Sequence, residues 1–153
     1  MHISAKVDYA MRALLELAAA AGGPVPAEAL ARSQHVPVKF LENTLVDLRK
    51  AGLLVSQRGP EGGYRLARPA DKIFVAEVFR ALDGPLAEVR GLRPEAARYD
   101  GAARHLQDVW VAVRAALRQV LECVSLADIV AGAFPSPVAE LVADRAAWRP
   151  RRR

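Results

Sequence analysis

Apolar positions set the first element. Val7, Ala10, Met11, Leu14 and Ala18 recur at helical spacing from Ser4 to about Ala21, which predicts a helix with Ser4 as N-cap and Gly22-Gly23-Pro24 as its stop. "AEALARSQ" predicts a short second helix from Ala27 to Gln34, followed by a brief turn through His35 and Val36. Pro37 suits the first position of a third helix, which runs to Ala51 and stops at Gly52. Leu41, Leu45 and Leu48 form its buried stripe, whereas Lys39, Glu42, Asn43, Val46 and Lys50 fall on another face. Two short helices, a turn and a third helix describe a helix-turn-helix.

The pattern then changes period. "LLVSQ" and "YRLA" are strand-compatible arms on either side of "RGPEGG", whose glycines and proline predict a tight hairpin with Arg58 and Glu61 near its tip. A hairpin directly after a helix-turn-helix stands where a wing would. Beyond it the chain reads as helical: "VAEVFRALDG" ends at Gly84, and a long helix is expected from about Ala103 to Val124. Leu106, Trp110, Val113, Leu117 and Val120 are spaced four, three, four and three, the pattern of a helix packed along another helix, here expected to be its copy in a homodimer. Ser125 and Asp128 make a capping-box start for "LADIVAGA", and Ser136-Pro137 starts a last helix through about Trp148.

Charge sharpens this picture. Residues 1–70 carry nine Lys/Arg and six Asp/Glu, residues 71–148 nine and eleven, and the terminal "RPRRR" adds four positive charges. The amino-terminal half is thus a basic module, which suggests a polyanion. Position strengthens the suggestion. The third helix starts with long or amide-bearing side chains and ends in Arg49 and Lys50, and the hairpin that follows carries Arg58, Arg65 and Arg68. A recognition helix needs such side chains at its amino end to reach base edges in the major groove, so the combination favours DNA.

The stretches "SAKVDYAMRALLELA", "VPVKFLENTLVDLRKAGLLVSQRGPEGGYRLARP" and "ALDGPL" resemble the IscR/NsrR-type family of winged helix-turn-helix transcriptional regulators, from about residue 2 to residue 131. The resemblance implies a mainly α fold with a small β wing, a long dimerisation helix, and a homodimer on a partly palindromic double-stranded DNA operator. It implies that Lys39, Glu42 and Asn43 face base edges and that Arg58 with Gly59 enters the minor groove. Val38, Arg49, Lys50, Ser56, Tyr64 and Arg65 complete the candidate DNA-binding set, and the glycines are expected to let the hairpin backbone approach the sugar-phosphate wall. The expected organisation is a DNA-binding domain over 1–84, a linker loop over 85–102, a helical dimerisation region over 103–148 and a basic tail over 149–153.

One departure matters. Cluster-binding members of that family carry three cysteines after the "DG" turn, and here Gly84 to His105 contains none. A cluster held by thiolates has no ligands, so no cofactor and no metal is expected. Cys123 lies beyond the segment and is expected to be a buried structural thiol; Asp8, near where some members supply a non-cysteine ligand, also suits the first turns of a helix without that role. An unidentified small-molecule effector, if there is one, is expected beside Trp110. One cysteine excludes an internal disulfide and suits a reducing, cytoplasmic setting, and no uncharged run of membrane-spanning length occurs. His2, His35 and His105 have no metal spacing, and neither a phosphate loop nor a nucleophile elbow is present, so an enzyme is not expected. The other reading left open is an adaptor that regulates another protein through its helical half.

Overall fold

The computed structural model describes residues 1–20 and 22–150; Ala21 and the last three arginines of the expected basic tail lie outside the described residues. Among these are seven α-helices and one two-stranded sheet, in the order α1 (Ala5–Ala19), α2 (Ala27–Gln34), α3 (Val38–Lys50), β1 (Leu54–Gln57), β2 (Gly63–Leu66), α4 (Val75–Leu82), α5 (Leu106–Leu121), α6 (Leu126–Ala131) and α7 (Ser136–Ala143). The fold class is mainly α with a small β wing, as expected.

Local chemistry explains the boundaries. The Ser4 hydroxyl accepts the Val7 N–H at 3.2 Å, capping α1, and also donates to the Asp83 carboxylate at 2.9 Å, which ties the start of α1 to the end of α4. Between α2 and α3, His35 takes the left-handed conformation at φ 54°, and the buried Val36 returns its N–H to the Ala31 carbonyl. Pro37 is the N-cap of α3 and Val38 its first residue, one position later than expected, because Pro37 keeps an extended ψ of 123°. In α6, Ser125 and Asp128 cap each other reciprocally: the Asp128 N–H donates to the Ser125 hydroxyl at 3.1 Å, and the Asp128 carboxylate accepts the Ser125 N–H at 2.8 Å.

The core sits between α1, α2, α3 and α4. Leu14, Leu30, Leu41, Leu45, Leu48, Leu53, Leu54 and Ile73 are fully buried in it. Leu126 of α6 belongs to the same cluster, and the Val75 N–H and Leu126 N–H donate to the carbonyls of Val124 and Ile73. The carboxyl half is therefore stitched into the amino-terminal core, and a boundary at residue 103 does not separate two cores.

The wing is more embedded than its sequence suggests. β1 and β2 pair antiparallel in the register Leu54 to Leu66 and Gln57 to Gly63, and Val25, between α1 and α2, adds a bridge to Tyr64 through two backbone hydrogen bonds of 2.9 Å. That bridge accounts for Gly63. Its φ is +153°, and a Cβ there would stand 2.4 Å from the Val25 carbonyl carbon; a Cβ on Gly62 would stand 2.2 Å from the Gln57 carbonyl oxygen. These two glycines serve the protein's own backbone, which corrects the expectation that all of the hairpin glycines serve approach to DNA. Gly59, at φ +107° with open space beside it, is the one left free for that role.

Helix α5 adds no fully buried residue to the described structure. The expected stripe is split between two faces. Leu106, Trp110, Leu117 and Val120, with Arg114 and Leu121, are half-buried against the chain itself, whereas Val109 and Val113 are 51% and 44% exposed and Ala116 is exposed beside them. The outward apolar face is Val109, Val113 and Ala116, rotated from the expected one, because the helix is apolar on both sides and its own core claims the bulkier residues. Residues 85–102 form a built connection with a Val89–Leu92 turn and the buried Pro94 and Ala97. The last helix ends at Ala143 rather than near Trp148, where Asp144 turns extended and caps a 3-10 turn by accepting the Ala146 N–H. Cys123 is half-buried rather than buried, its thiol directed at the Gln119 carbonyl 2.9 Å away.

Two predictions follow from these contacts. Gly63→Ala should destabilise the fold by about 1–3 kcal/mol, read as a lower midpoint in chemical unfolding, since the Val25 bridge leaves no room for the methyl group. Acid should loosen the caps of α4 and α6. Partial burial opposes ionisation of Glu77, but the Arg68 guanidinium and the Phe74 N–H together hold its carboxyl below the usual range, and the Ser125 N–H does the same for Asp128. Both groups bind protons more weakly when folded, so their stabilisation is complete at neutral pH and is lost as pH falls through the depressed values. Asp128→Asn should flatten that part of the melting-temperature profile between pH 6 and pH 3.

Candidate nucleic-acid interface

The orientation of α3 follows from its buried side. Leu41, Leu45 and Leu48 are fully enclosed, and Thr44, buried beside them, returns its hydroxyl to the Phe40 carbonyl at 3.1 Å. With that stripe inward, Val38, Lys39, Glu42, Asn43, Arg49 and Lys50 lie in solvent. The helix is anchored from outside the core as well. Lys6 of α1 donates to Asp47 at 2.7 Å, which holds the Asp47 carboxyl below its ordinary range, and the Tyr9 ring meets Phe40 edge-on with centroids 5.5 Å apart.

Phe40 is a residue that the sequence reading missed. It is 42% exposed near the amino end of α3, beside Lys39 and Val38, so the face offered there is part apolar. The available signal was an aromatic side chain one position ahead of the leucine stripe. Such a ring can contact a thymine methyl group or the sugar edge of a groove.

The wing divides by pleat. Ser56 and Tyr64 are paired on one face of the hairpin, and Val55 and Arg65 on the other. Arg65 and Arg58 are exposed, as is Gly59 at the turn. Ser56 accepts from Arg49 at 3.3 Å, so the end of α3 and the first wing strand hold one another. Tyr64 is placed differently from the other candidates. Its ring is half-buried against the core and its backbone carries the Val25 bridge, so it supports the wing rather than presenting a free side chain.

Taken together, the helix and wing expose Lys39, Lys50, Arg58 and Arg65 around Glu42 and Asn43, with Arg49 shared between them. Long cations are suited to phosphates and narrow grooves, an amide to the donor and acceptor pair of adenine. The segment after α4 has a different chemistry. Between Gly84 and His105 there is no thiol, and among the described residues no group of three His, Cys, Asp or Glu side chains could share a metal ion. Trp110 faces an open cleft of about 410 Å³ bounded by Phe79, Leu86 and Val113, and its indole N–H is buried without an acceptor. No described helix is long and apolar enough to cross a membrane.

Comparison with known proteins agrees with this geometry. The Rrf2 family, described as iron-dependent transcriptional regulators, matches residues 3–132. An HTH-type transcriptional regulator assigned by name in Mycobacterium tuberculosis is 48% identical over 145 residues, covering 94% of this chain and 90% of that protein. The solved structure of CymR, the global cysteine regulator of B. subtilis, superposes with a TM-score of 0.73 at 30% identity, covering 86% of this chain and 98% of that one. IscR of T. potens gives a TM-score of 0.69 at 33% identity, with 87% and 88% covered. Cys123 is the single cysteine of the sequence, so one chain does not offer three thiolates to the iron of the family's description. With the match spanning the helix-turn-helix, the wing and α5, the chain belongs to the Rrf2 family of HTH-type transcriptional regulators.

Proposed function

We propose that the protein is a sequence-specific regulator of transcription that binds a partly palindromic operator as a homodimer and does so without an iron–sulfur cluster. The observation that carries the reading is the solvent-facing set Lys39, Glu42 and Asn43 at the amino end of α3, locked through Arg49 and Ser56 to a wing that exposes Arg58. Helix α3 reads base edges in the major groove, and Arg58 lies along the adjacent minor groove, where a narrow A·T-rich stretch concentrates negative potential. Lys50 and Arg65 contact phosphates and fix the register.

Two half-sites require two copies. The outward face of α5, Val109, Val113 and Ala116, supplies an apolar surface spaced four and three that can lie along its twin. The absence of thiols from residues 84–105 argues that the signal is read by other chemistry than a cluster held by cysteines.

Binding-site selection on genomic fragments, followed by titration of variants, tests the reading surface. Asn43→Ala should relax preference inside the half-site by about 1–3 kcal/mol. Arg58→Ala should instead weaken binding to all sites, reduce preference for A·T-rich flanks and lower the slope of log affinity against log salt by about 0.9. If both variants are folded and neither changes affinity or preference, α3 and the wing are not the reading surface, and the adaptor reading takes over. For assembly, Val113→Asp places a charge in the α5 seam, at a cost of several kcal/mol on the order of that for any unpaired buried ion. Sedimentation should then show monomer; an intact, well-folded dimer would exclude the seam.

A further inference from the structure

Four of the nine Lys/Arg in residues 71–148 converge on one cleft, although that half of the chain is on balance acidic. The cleft, of about 320 Å³, is lined by Arg80 of α4, Arg93, Arg114 and Arg118 of α5, and the 84–87 backbone turn. Its volume is that of a site for a small molecule rather than a macromolecule. Neither α3 nor the wing contributes to its lining, so the arginines are not an extension of the DNA-reading face.

The internal charge balance of the cleft is incomplete. Glu122 is shared between Arg80 and, at 3.7 Å, Arg118, and Glu95 pairs with Arg114, whose side chain is 13% exposed. Arg93 has no carboxylate within salt-bridge distance among the described residues. It is still near enough to act on the site: the Glu95 carboxyl is held below its ordinary range first by its own backbone N–H, against some burial, then by Arg114 and also by the charge of Arg93. Four guanidinium groups against two carboxylates leave two positive charges around one cavity. Guanidinium forks match the planar oxygens of carboxylates and phosphates, whereas Pro85, Leu86 and Ala87 offer a short apolar wall.

We propose that this cleft is an effector site for a small organic molecule carrying two oxyanionic charges, a dicarboxylate or a phosphate monoester. Its position suits the role. Arg114 and Arg118 are one turn apart on the flank of α5 that turns away from Val109, Val113 and Ala116, so the cleft stays open when the proposed seam is covered. The opposite wall, α4, packs on α1 and α3, and its Glu77 holds Arg68 just after the wing at 2.6 Å. An oxyanion that takes Arg80 and Arg118 from Glu122 thus acts between the reading unit and the dimer helix. The effector role rests on the proposed regulatory function; the binding does not.

The test uses the full chain without DNA. Titration with succinate and, separately, with inorganic phosphate is followed by thermal unfolding and calorimetry, against sodium chloride at equal ionic strength. At least one of the two should give saturable stabilisation beyond chloride, and which one binds more tightly distinguishes carboxylate from phosphate chemistry. Arg93→Gln, which breaks no internal ion pair, and Arg118→Gln should each weaken that binding about tenfold or more while melting normally in chloride. Absence of any effect beyond chloride, or equal binding by wild type and Arg93→Gln, would overturn the site. DNA affinity in chloride should be unchanged by Arg93→Gln; a loss there would instead make the cluster a DNA contact. Since the anion titration contains no DNA, its failure leaves the α3 and wing reading standing, and failure of that reading leaves the cleft.

Discussion

Burial of the leucine stripe on α3 is the constraint on which the rest depends. Leu41, Leu45 and Leu48 are each wholly removed from solvent, and complete burial of such a side chain is worth about 2–3 kcal/mol. A helix free to roll about its axis by one residue would carry Asn43 away from its station. The stripe forbids that roll, because any rotation exposes a leucine on one side and drives a charged residue inward on the other. Lys6, Tyr9 and the Arg49–Ser56 contact then limit slide and tilt. Position of the polar face is therefore set by apolar residues that never touch a ligand.

Much of this was legible in the sequence because it is local. The spacing of leucines, the proline before α3 and the serine caps of α1 and α6 act within a few residues of themselves, and each reappears in the structure near its expected place. Strand β2 was equally readable, but not its neighbour. Val25 stands far from Tyr64 in sequence and carries no strand pattern, so its pairing emerges only when α2 and α3, which lie between the two, have folded the chain back on itself. The glycine explanation changed for the same reason.

Helix α5 shows a different limit. Its apolar residues exceed what one face can hold, and periodicity cannot say which of two apolar faces turns inward. Packing decides it: Trp110, Leu117 and Leu121 go to the chain's own side, and Val109, Val113 and Ala116 remain outside. The arginine cleft was illegible for a simpler reason. Arg80, Arg93, Arg114 and Arg118 are scattered through nearly forty residues and look like ordinary solvated charges until α4 and α5 are laid side by side.

The stitch between Ile73–Val75 and Val124–Leu126 has one more consequence. The chain leaves this pairing at Val75 and returns to it at Val124, so the stretch between them, α4 included, is a closed detour whose endpoints are fixed by backbone pairing rather than by its contents. Insertions, deletions and wholesale replacement inside such a detour change the loop-closure entropy only slowly with length. Residues after α4 in the detour can therefore be exchanged without moving its endpoints, while α1, α2, α3 and the wing keep the same scaffold throughout.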